Sequence, residues 1–298
     1  MPFESQASGR RRGLTLVEFL VVIVIIVVLL TILFPAIHSS RVAARRVECQ
    51  NNLRQLGVAL HNYHDLHDTL PSGWTGVTGG QPVALGGPGW GWGSQLLPYL
   101  DEWPAAQIAR FDLPIGSVEN QRFRELEIST FLCPDDSSET TWQHSGHKLL
   151  ALTLATSNYV GAFGSRGWTV ESAQRVGESL DGDGVFYHNS STRFIDVTDG
   201  LSHTVAIGER AHDILRNRYS TWVGVVPGVP EAISLVVGVG EMSPDSQTTS
   251  VRGFSSAHGS GSHFLFGDGR VQYVDGRVDG DIFGRLLSRA GAELTPGF

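Results

Sequence analysis

Cysteine, histidine and aspartate are the side chains whose types and spacing here could support metal binding or redox chemistry. Cys49 and Cys133 are the two cysteines of the 298-residue sequence. They lack the C-x-x-C spacing that is typical of zinc and redox motifs, and two cysteines are too few for a disulfide-built scaffold. One bridge between them is an open hypothesis, and two buried thiols are the alternative.

Three histidines share the spacing of one helix face. They could suggest a metal site, but no fourth ligand is identifiable, and a Pro-Ser-Gly turn follows at residues 71–73. The pattern therefore favours a solvated helix end over a metal centre. These histidines are His61, His64 and His67.

Asp-Gly pairs could supply oxygen ligands to Ca²⁺, but none matches the D-x-[DN]-x-[DN]-G loop. Asp-Gly is an ordinary hairpin pair, so we predict turns and no cofactor, with calcium as the alternative. His258, His263 and Asp268 would make a partial metal site, yet such residues at a hairpin more often fix turn and register. We predict no metal site and leave the role of His258, Asp268 and Gly269 open. The pairs begin at positions 181, 183, 199, 268, 275 and 279.

Catalytic and nucleic-acid-binding signals are weak. The sequence lacks G-x-x-x-x-G-K-[ST], G-x-S-x-G and H-E-x-x-H, and Lys148 is its single lysine. The net charge of −8 argues against binding to a phosphate backbone. We expect neither an enzyme nor a nucleic-acid partner.

The elements that position these residues begin with an apolar segment. Residues 14–37 carry a single charge, at Glu18, and about twenty such residues span a bilayer as a helix. A secretory signal peptide would have a shorter apolar region and a small-residue cleavage site. Arginines flank the segment on both sides, at positions 10–12 and at positions 41, 45 and 46, so charge alone does not orient it.

The chain becomes amphipathic after this segment, so residues 38–68 are predicted to extend the helix. One apolar stripe needs a partner surface, either the domain that follows or a second helix in a coiled coil. The stripe consists of Cys49, Leu53, Leu56, Leu60 and Tyr63.

Residues 69–298 are predicted to form a β-rich domain. Strand-like alternation occurs at 183–200, 203–209, 221–226 and 262–278, and Asp268-Gly269 is predicted to form a two-residue type I′ turn with Gly269 at positive φ. Residues 91–102 predict a short helix, and 131–136 a strand that ends in a turn presenting Cys133. The tryptophans at 74, 90, 92 and 103 are predicted to fill the core, with sugar binding as the alternative.

The run RRGLTLVEFL at residues 11–20 resembles the prepilin signature of type IV pilins and pseudopilins. The resemblance implies cleavage by prepilin peptidase after Gly13, a mature N-terminus at Leu14 that is a candidate for methylation, and Glu18 as the fifth mature residue. Glu18 would neutralise either its own Leu14 amine or that of a neighbouring subunit, and the resemblance favours the second, assembly role. Pro35 also lies where many such pilins carry a helix-weakening proline.

Five segments together resemble one bacterial family of prepilin-like paralogues whose biochemical role is undefined. The family has an H-x9-D-G element near its C-terminus, matched here by His258 and Asp268-Gly269, although His263 stands where the family pattern has asparagine. The other matching segments are NNLRQLGVALHNYHD (51–65), GWGSQLLPYLD (91–101), FLCPDD (131–136) and DVTDGLSHTVAIGE (196–209).

The expected fold is therefore α+β and pilin-like, with a long N-terminal helix packed on a large antiparallel β-rich domain. The expected order is a leader (1–13), a membrane half of the helix (14–37), an amphipathic half (38–68) and an exported domain (69–298). We expect a single-pass protein of the cytoplasmic (inner) membrane with a periplasmic or extracellular domain, related to type II secretion pseudopilins. Export to an oxidising compartment predicts the Cys49–Cys133 disulfide.

The expected function is that of a non-enzymatic pilin-like subunit whose partners are prepilin peptidase, the membrane, and other pilin-like subunits or itself. A monomeric anchored domain that binds an extracellular ligand or glycan is the alternative.

Overall fold

The computed structural model describes residues 16–137, 139–144, 152–213, 219–244 and 251–291, with the backbone alone at His144. The processing residues Gly13 and Leu14 therefore lie outside the described residues. The chain divides into two compact units, residues 1–44 and 45–298.

The first unit is the apolar part of helix α1 (Leu16–His67), which runs through Pro35 without interruption. Within the described residues this is the one helix long and apolar enough to cross a membrane. Its large side chains are exposed, from Leu16 at 79% to Ile37 at 43%. An apolar surface of this extent has the composition that lipid or another apolar helix covers.

The second unit begins with the amphipathic part of α1 and ends with a short helix. Its other helices are α2 (Trp92–Leu96), α3 (Trp103–Ile108), α4 (Gln121–Arg124), α5 (Val170–Gln174) and α6 (Gly280–Leu287). Its strands are β1 (Trp74–Thr78), β2 (Gln81–Pro82), β3 (Gly87–Gly91), β4 (Thr141–His144), β5 (Leu152–Ala155), β6 (Tyr159–Gly164), β7 (Val205–Glu209), β8 (Val237–Val239), β9 (Gly261–Phe266) and β10 (Val271–Asp275).

A five-stranded sheet with the order β10-β9-β7-β6-β8 organises this unit. Its pairs are antiparallel except β6 with β8, which are parallel. Side chains alternate between its faces: Tyr159 and Leu265 belong to the core that contains the α1 stripe, whereas Val160 and Phe264 belong to the core that contains α6. The sheet is thus covered by α1 on one face and by α6 on the other.

The predicted apolar stripe of α1 is confirmed. Cys49, Leu53 and Leu56 are fully buried, Leu60 is nearly so, and Tyr63 packs at the edge. Gly57 lies so close to β9 that a Cβ atom there would approach Leu265 Cδ1 to 2.9 Å. The helix therefore packs on the domain of its own chain, as the first of the two sequence interpretations expected.

Other local predictions divide into confirmed and wrong. Strands are confirmed at 203–209 and 262–278, and α2 at 91–102. Strands are wrong at 183–200, where the chain is irregular apart from an isolated bridge at His188 and a short 3-10 turn (Phe194–Asp196), and at 221–226. Residues 131–136 follow another 3-10 turn (Ser129–Phe131) and form no strand. Three of the four tryptophans fill the core as predicted, and Trp103 is exposed.

The β9–β10 hairpin has Gly269 at φ +87°, as predicted. The two-residue type I′ turn is wrong, because that turn needs positive φ at both central residues and Asp268 does not have it. Instead Gly269 N–H donates to Phe266 O, and Phe266 N–H donates to Arg270 O. These bonds close a three-residue loop with Gly269 as its left-handed residue.

Candidate functional site

The three helix histidines do not form a common site. His61 Nε2 contacts Gly267 O at 3.1 Å, His64 Nε2 accepts the Phe194 N–H at 3.2 Å, and His67 Nε2 contacts the Tyr99 hydroxyl at 2.9 Å. Each fixes the helix end to a different loop. The prediction of a solvated helix end is correct for His67 and wrong for His61 and His64, which are half-buried.

The Asp-Gly aspartates mostly serve turns and caps. Asp268 accepts the Arg270 N–H, Asp275 the Arg277 N–H, and Asp199 the Gly291 N–H. Asp183 accepts the Ser165 N–H, and Asp279 caps α6 through the N–H groups of residues 281 and 282. Asp268, Asp275 and Asp279 thus serve turns and a helix cap, as predicted, whereas Asp183 and Asp199 join segments that are distant in the sequence.

The two cysteines meet beside His258. Both are buried, and their sulfurs lie with a ring nitrogen of His258 within 4.8 Å of one another. His258 Nε2 is 3.3 Å from Cys133 Sγ. Both are free thiols, so the structure contains the proximity that the predicted disulfide requires and not the bond itself.

Glu209, at the end of β7, completes the group. Its Oε1 is 3.7 Å from His258 Nε2, and the side chains of Glu209 and His258 are 3% and 1% exposed. Glu209, His258 and His263 again place one donor atom each within 4.8 Å. We call Cys49, Cys133, Glu209 and His258 the four-donor cluster.

Neighbouring side chains hold this cluster in place. Asp135 Oδ2 lies 3.0 Å from His258 Nδ1, and the other Asp135 oxygen pairs with Arg45 Nε at 2.5 Å. His263 Nε2 accepts from Arg46 and Gln50, so its Nδ1 carries the proton that it donates to Glu209 at 3.0 Å. Helix α1 thus contributes three polar side chains to the surroundings of the cluster.

The sheet register explains this arrangement. Tyr159 on β6 pairs with Glu209 on β7, and His263 on β9 pairs with Tyr273 on β10. The antiparallel register of β7 and β9 places Glu209 opposite His263. A row of polar residues therefore crosses four strands on the face that α1 covers.

The electrostatics reflect this burial. A hydrogen bond with Cys49, together with burial, raises the pKa of the Cys133 thiol far above its ordinary value, although His258 acts in the opposite direction. Burial lowers the pKa of His258, but Cys133, Glu209 and Asp135 outweigh it and the net shift is upward. Burial, with Cys49, Cys133 and Glu209 nearby, raises the pKa of Tyr159.

Two family models match the sequence. One, described as a protein of unknown function (DUF1559), matches residues 38–281, and the prokaryotic N-terminal methylation motif matches residues 8–34. The chain belongs to the DUF1559 family. Its N-terminal motif and apolar helix make it a membrane-anchored, prepilin-like precursor. Neither a curated protein nor a solved structure matches this DUF1559 chain.

Segments that carried the family resemblance converge on the four-donor cluster. FLCPDD supplies Cys133 and Asp135, DVTDGLSHTVAIGE ends in Glu209, and the H-x9-D-G element begins with His258. At the other end of that element, the loop before Gly269 meets α1 through the Gly267 contact with His61. In this DUF1559 domain the H-x9-D-G element contacts α1 in two places, at the four-donor cluster and at the tip of the β9–β10 hairpin.

The sequence alone did not identify Glu209 and Asp135 as site residues. Glu209 ends a strand pattern, and Asp135 lies in what reads as a turn. The one signal was that Asp135 lies in the same family-matching segment as Cys133 and that Glu209 ends another such segment, without a spacing that links them.

Proposed function

We propose that this chain is a non-enzymatic pilin-like or pseudopilin-like subunit of the cell envelope. It is processed by prepilin peptidase after Gly13 and assembles through α1, with its C-terminal domain on the outer side of the cytoplasmic membrane. The observation that carries the proposal is the exposed apolar surface of residues 16–37, most of which lies within the match to the methylation motif. In an assembly, helices of neighbouring subunits would cover part of that surface.

Glu18 directs the assembly step. A carboxylate within the bilayer costs roughly 2.5–3.5 kcal/mol at the helix centre and less near its end, so a nearby cation stabilises it. Cleavage at Gly13 creates such a cation, the α-amino group of Leu14. Pairing within one chain would only neutralise Glu18, whereas pairing with the Leu14 amine of a neighbour favours assembly.

The test is cross-linking within membranes. We expect wild-type chains to cross-link through the apolar helix and Glu18→Ala to be processed normally but to lose the cross-linked species. Glu48→Ala, a change at an exposed glutamate of the same helix, is the matched control and should assemble as wild type does. A wild type that never cross-links, or a Glu18→Ala variant that assembles equally well, would refute the subunit function.

Processing is tested separately, by N-terminal sequencing and intact mass of the membrane-extracted protein. A mature chain beginning at Leu14 is the expected result. A chain beginning at Met1, or beyond the apolar segment near residue 38, would contradict prepilin-type processing.

A monomeric anchored ligand-binding domain is the second candidate. It is favoured by a cleft of about 710 Å³ between the loops after β6 and β8 and helix α6, lined by Asp181, Asp183, Glu241, Arg166 and Arg285 among others. Phe163 is the single aromatic residue among the described residues that line it, so the described part of the cleft suits a polar ligand better than a sugar that stacks on aromatic rings. Under this function Glu18→Ala would leave ligand binding unchanged.

A further inference from the structure

Three members of the four-donor cluster, the two cysteine sulfurs and a His258 nitrogen, lie together at a spacing that one metal ion can bridge, and Glu209 approaches the same histidine as a candidate fourth ligand. With typical zinc distances to sulfur, nitrogen and oxygen, tetrahedral geometry separates an S and an N ligand by about 3.6 Å and an N and an O ligand by about 3.4 Å. His258 Nε2 lies 3.3 Å from Cys133 Sγ and 3.7 Å from Glu209 Oε1. The Cys49 sulfur is within 4.8 Å of both Cys133 Sγ and the His258 nitrogen.

The surroundings match those of a metal centre. A histidine that binds a metal through one ring nitrogen usually donates the other to a carboxylate, which fixes its orientation. Asp135 Oδ2 has this position, 3.0 Å from His258 Nδ1, and Arg45 holds Asp135 in turn. The Glu209 carboxylate is oriented in the same way by His263, which donates from Nδ1 and from its backbone N–H at 2.7 Å.

Charge complementarity points in the same direction. Two thiolates and Glu209 would exceed the charge of a divalent cation by one negative charge, and Asp135 adds a second. Arg45, paired with Asp135, and Arg46, bonded to His263, supply two positive charges in return. Binding would displace one proton from each cysteine thiol.

We propose that Cys49, Cys133 and His258 bind one zinc ion and that the Glu209 carboxylate closes on it as the fourth ligand. The ion joins helix α1 to the sheet and to the loops that carry Cys133 and His258. Two sulfurs, one imidazole and one carboxylate form a ligand set suited to zinc. With Glu209 as its fourth ligand the site would be closed to substrate, so its role is structural. The ion would hold together residues that are distant in the sequence, and the proposal does not depend on subunit assembly.

The experiment measures the metal content of the full-length chain, extracted in detergent with an affinity tag free of histidine. After incubation with excess zinc and removal of the unbound ion, we expect about one zinc per chain by mass spectrometry of the metal. Cys49→Ser, Cys133→Ser and His258→Ala should each lose it. Asp135→Asn, a change at a positioning residue, should keep the site but weaken zinc affinity roughly 10–100-fold.

His203→Ala is the matched control, because His203 lies in a loop outside the cluster and bonds only locally, to Ser202. It should retain zinc as wild type does. Cobalt provides a measurement that needs no variant: the chain has only two cysteines, so a near-ultraviolet thiolate-to-cobalt absorption identifies this site in the wild type.

Three results would overturn the proposal. The first is a wild-type chain that holds no zinc and gives no cobalt–thiolate absorption. The second is a Cys49–Cys133 disulfide found by non-reducing peptide mapping of the freshly extracted protein. The third is zinc retained equally after Cys49→Ser and Cys133→Ser.

Discussion

Replacing Gly269 with valine tests how firmly the C-terminal hairpin depends on one backbone conformation. Gly269 has φ +87°, and a Cβ atom at this position would meet only His61 Nε2, at 3.9 Å. There is therefore room for a first side-chain carbon, and the cost comes mainly from the backbone. A left-handed conformation costs an ordinary L-residue about 1–2 kcal/mol, and a β-branched residue resists it most.

We expect Gly269→Val to lower the free energy of unfolding by about 1–3 kcal/mol. For a domain of this size, each kcal/mol lowers the thermal midpoint by roughly 2–4 °C. The assay is thermal unfolding of the detergent-solubilised chain, followed by tryptophan fluorescence. Gly269→Asn should lose less, because asparagine tolerates positive φ better.

Gly280→Ala is the matched control for the loss of a glycine. Gly280 begins α6, lacks a left-handed φ, and has open space where the methyl group of an alanine would lie. Its replacement should leave the midpoint unchanged or raise it slightly. If Gly269→Val also left the midpoint unchanged, the hairpin would not require the left-handed residue, and the reasoning would be refuted.

Two further changes test the helix contact and the pH response. Leu56→Ala removes a fully buried side chain of the α1 stripe and should lower the free energy of unfolding, measured by chemical denaturation, by about 2–5 kcal/mol. Val58→Ala, at a side chain 61% exposed on the same helix, should change it by less than about 0.5 kcal/mol. Burial lowers the pKa of His188, whose Nδ1 accepts the Leu180 N–H while Nε2–H donates to Gly76 O at 2.8 Å. The unfolded chain binds the proton that charges the His188 ring more readily than the folded chain does. The contribution of His188 to folding stability is therefore complete above its unfolded pKa of about 6.5 and is lost as the pH falls below it. The difference in unfolding midpoint between wild type and His188→Gln should therefore shrink between pH 7.5 and 5.5, and a constant difference would contradict this assignment.

Helix α1 and the β9–β10 hairpin were predictable because the apolar positions of their sequence patterns are the positions that the fold buries. The α1 stripe repeats every three to four residues along one face, and the hairpin strands flank an Asp-Gly pair. The loop length was not predictable, because both two- and three-residue loops accommodate such a pair.

The segment 183–200 was mispredicted because its alternation does not reflect a sheet. His188, Ser190 and Thr192 are all buried although they are polar. Their side chains satisfy backbone groups directly, as when Ser190 Oγ accepts the Gly73 N–H and Thr192 donates to Val185 O. A buried loop stabilised in this way gives the same polar–apolar alternation as a half-buried strand.

The four-donor cluster was out of reach for a different reason. Its ligand atoms come from the helix, a loop, a strand end and a second loop, so no short spacing connects them. The sequence identified Cys49 and Cys133 as neighbours and His258 as a motif residue, but only the sheet register brings Glu209 to them.

The distance in sequence between the helix and its covering hairpin has a consequence for biogenesis. Gln50 meets His263 across 213 positions, and His61 meets Gly267 across 206. At synthesis rates of roughly 5–20 residues per second, the hairpin follows the helix by roughly 10–40 s. During that interval the apolar face of α1 and the Cys49 thiol lack their final cover, so a nascent chain needs protection from aggregation and premature oxidation. A chain truncated before His258 would keep that vulnerable state permanently, which makes the arrival of the β9–β10 hairpin the event that completes the cover of α1.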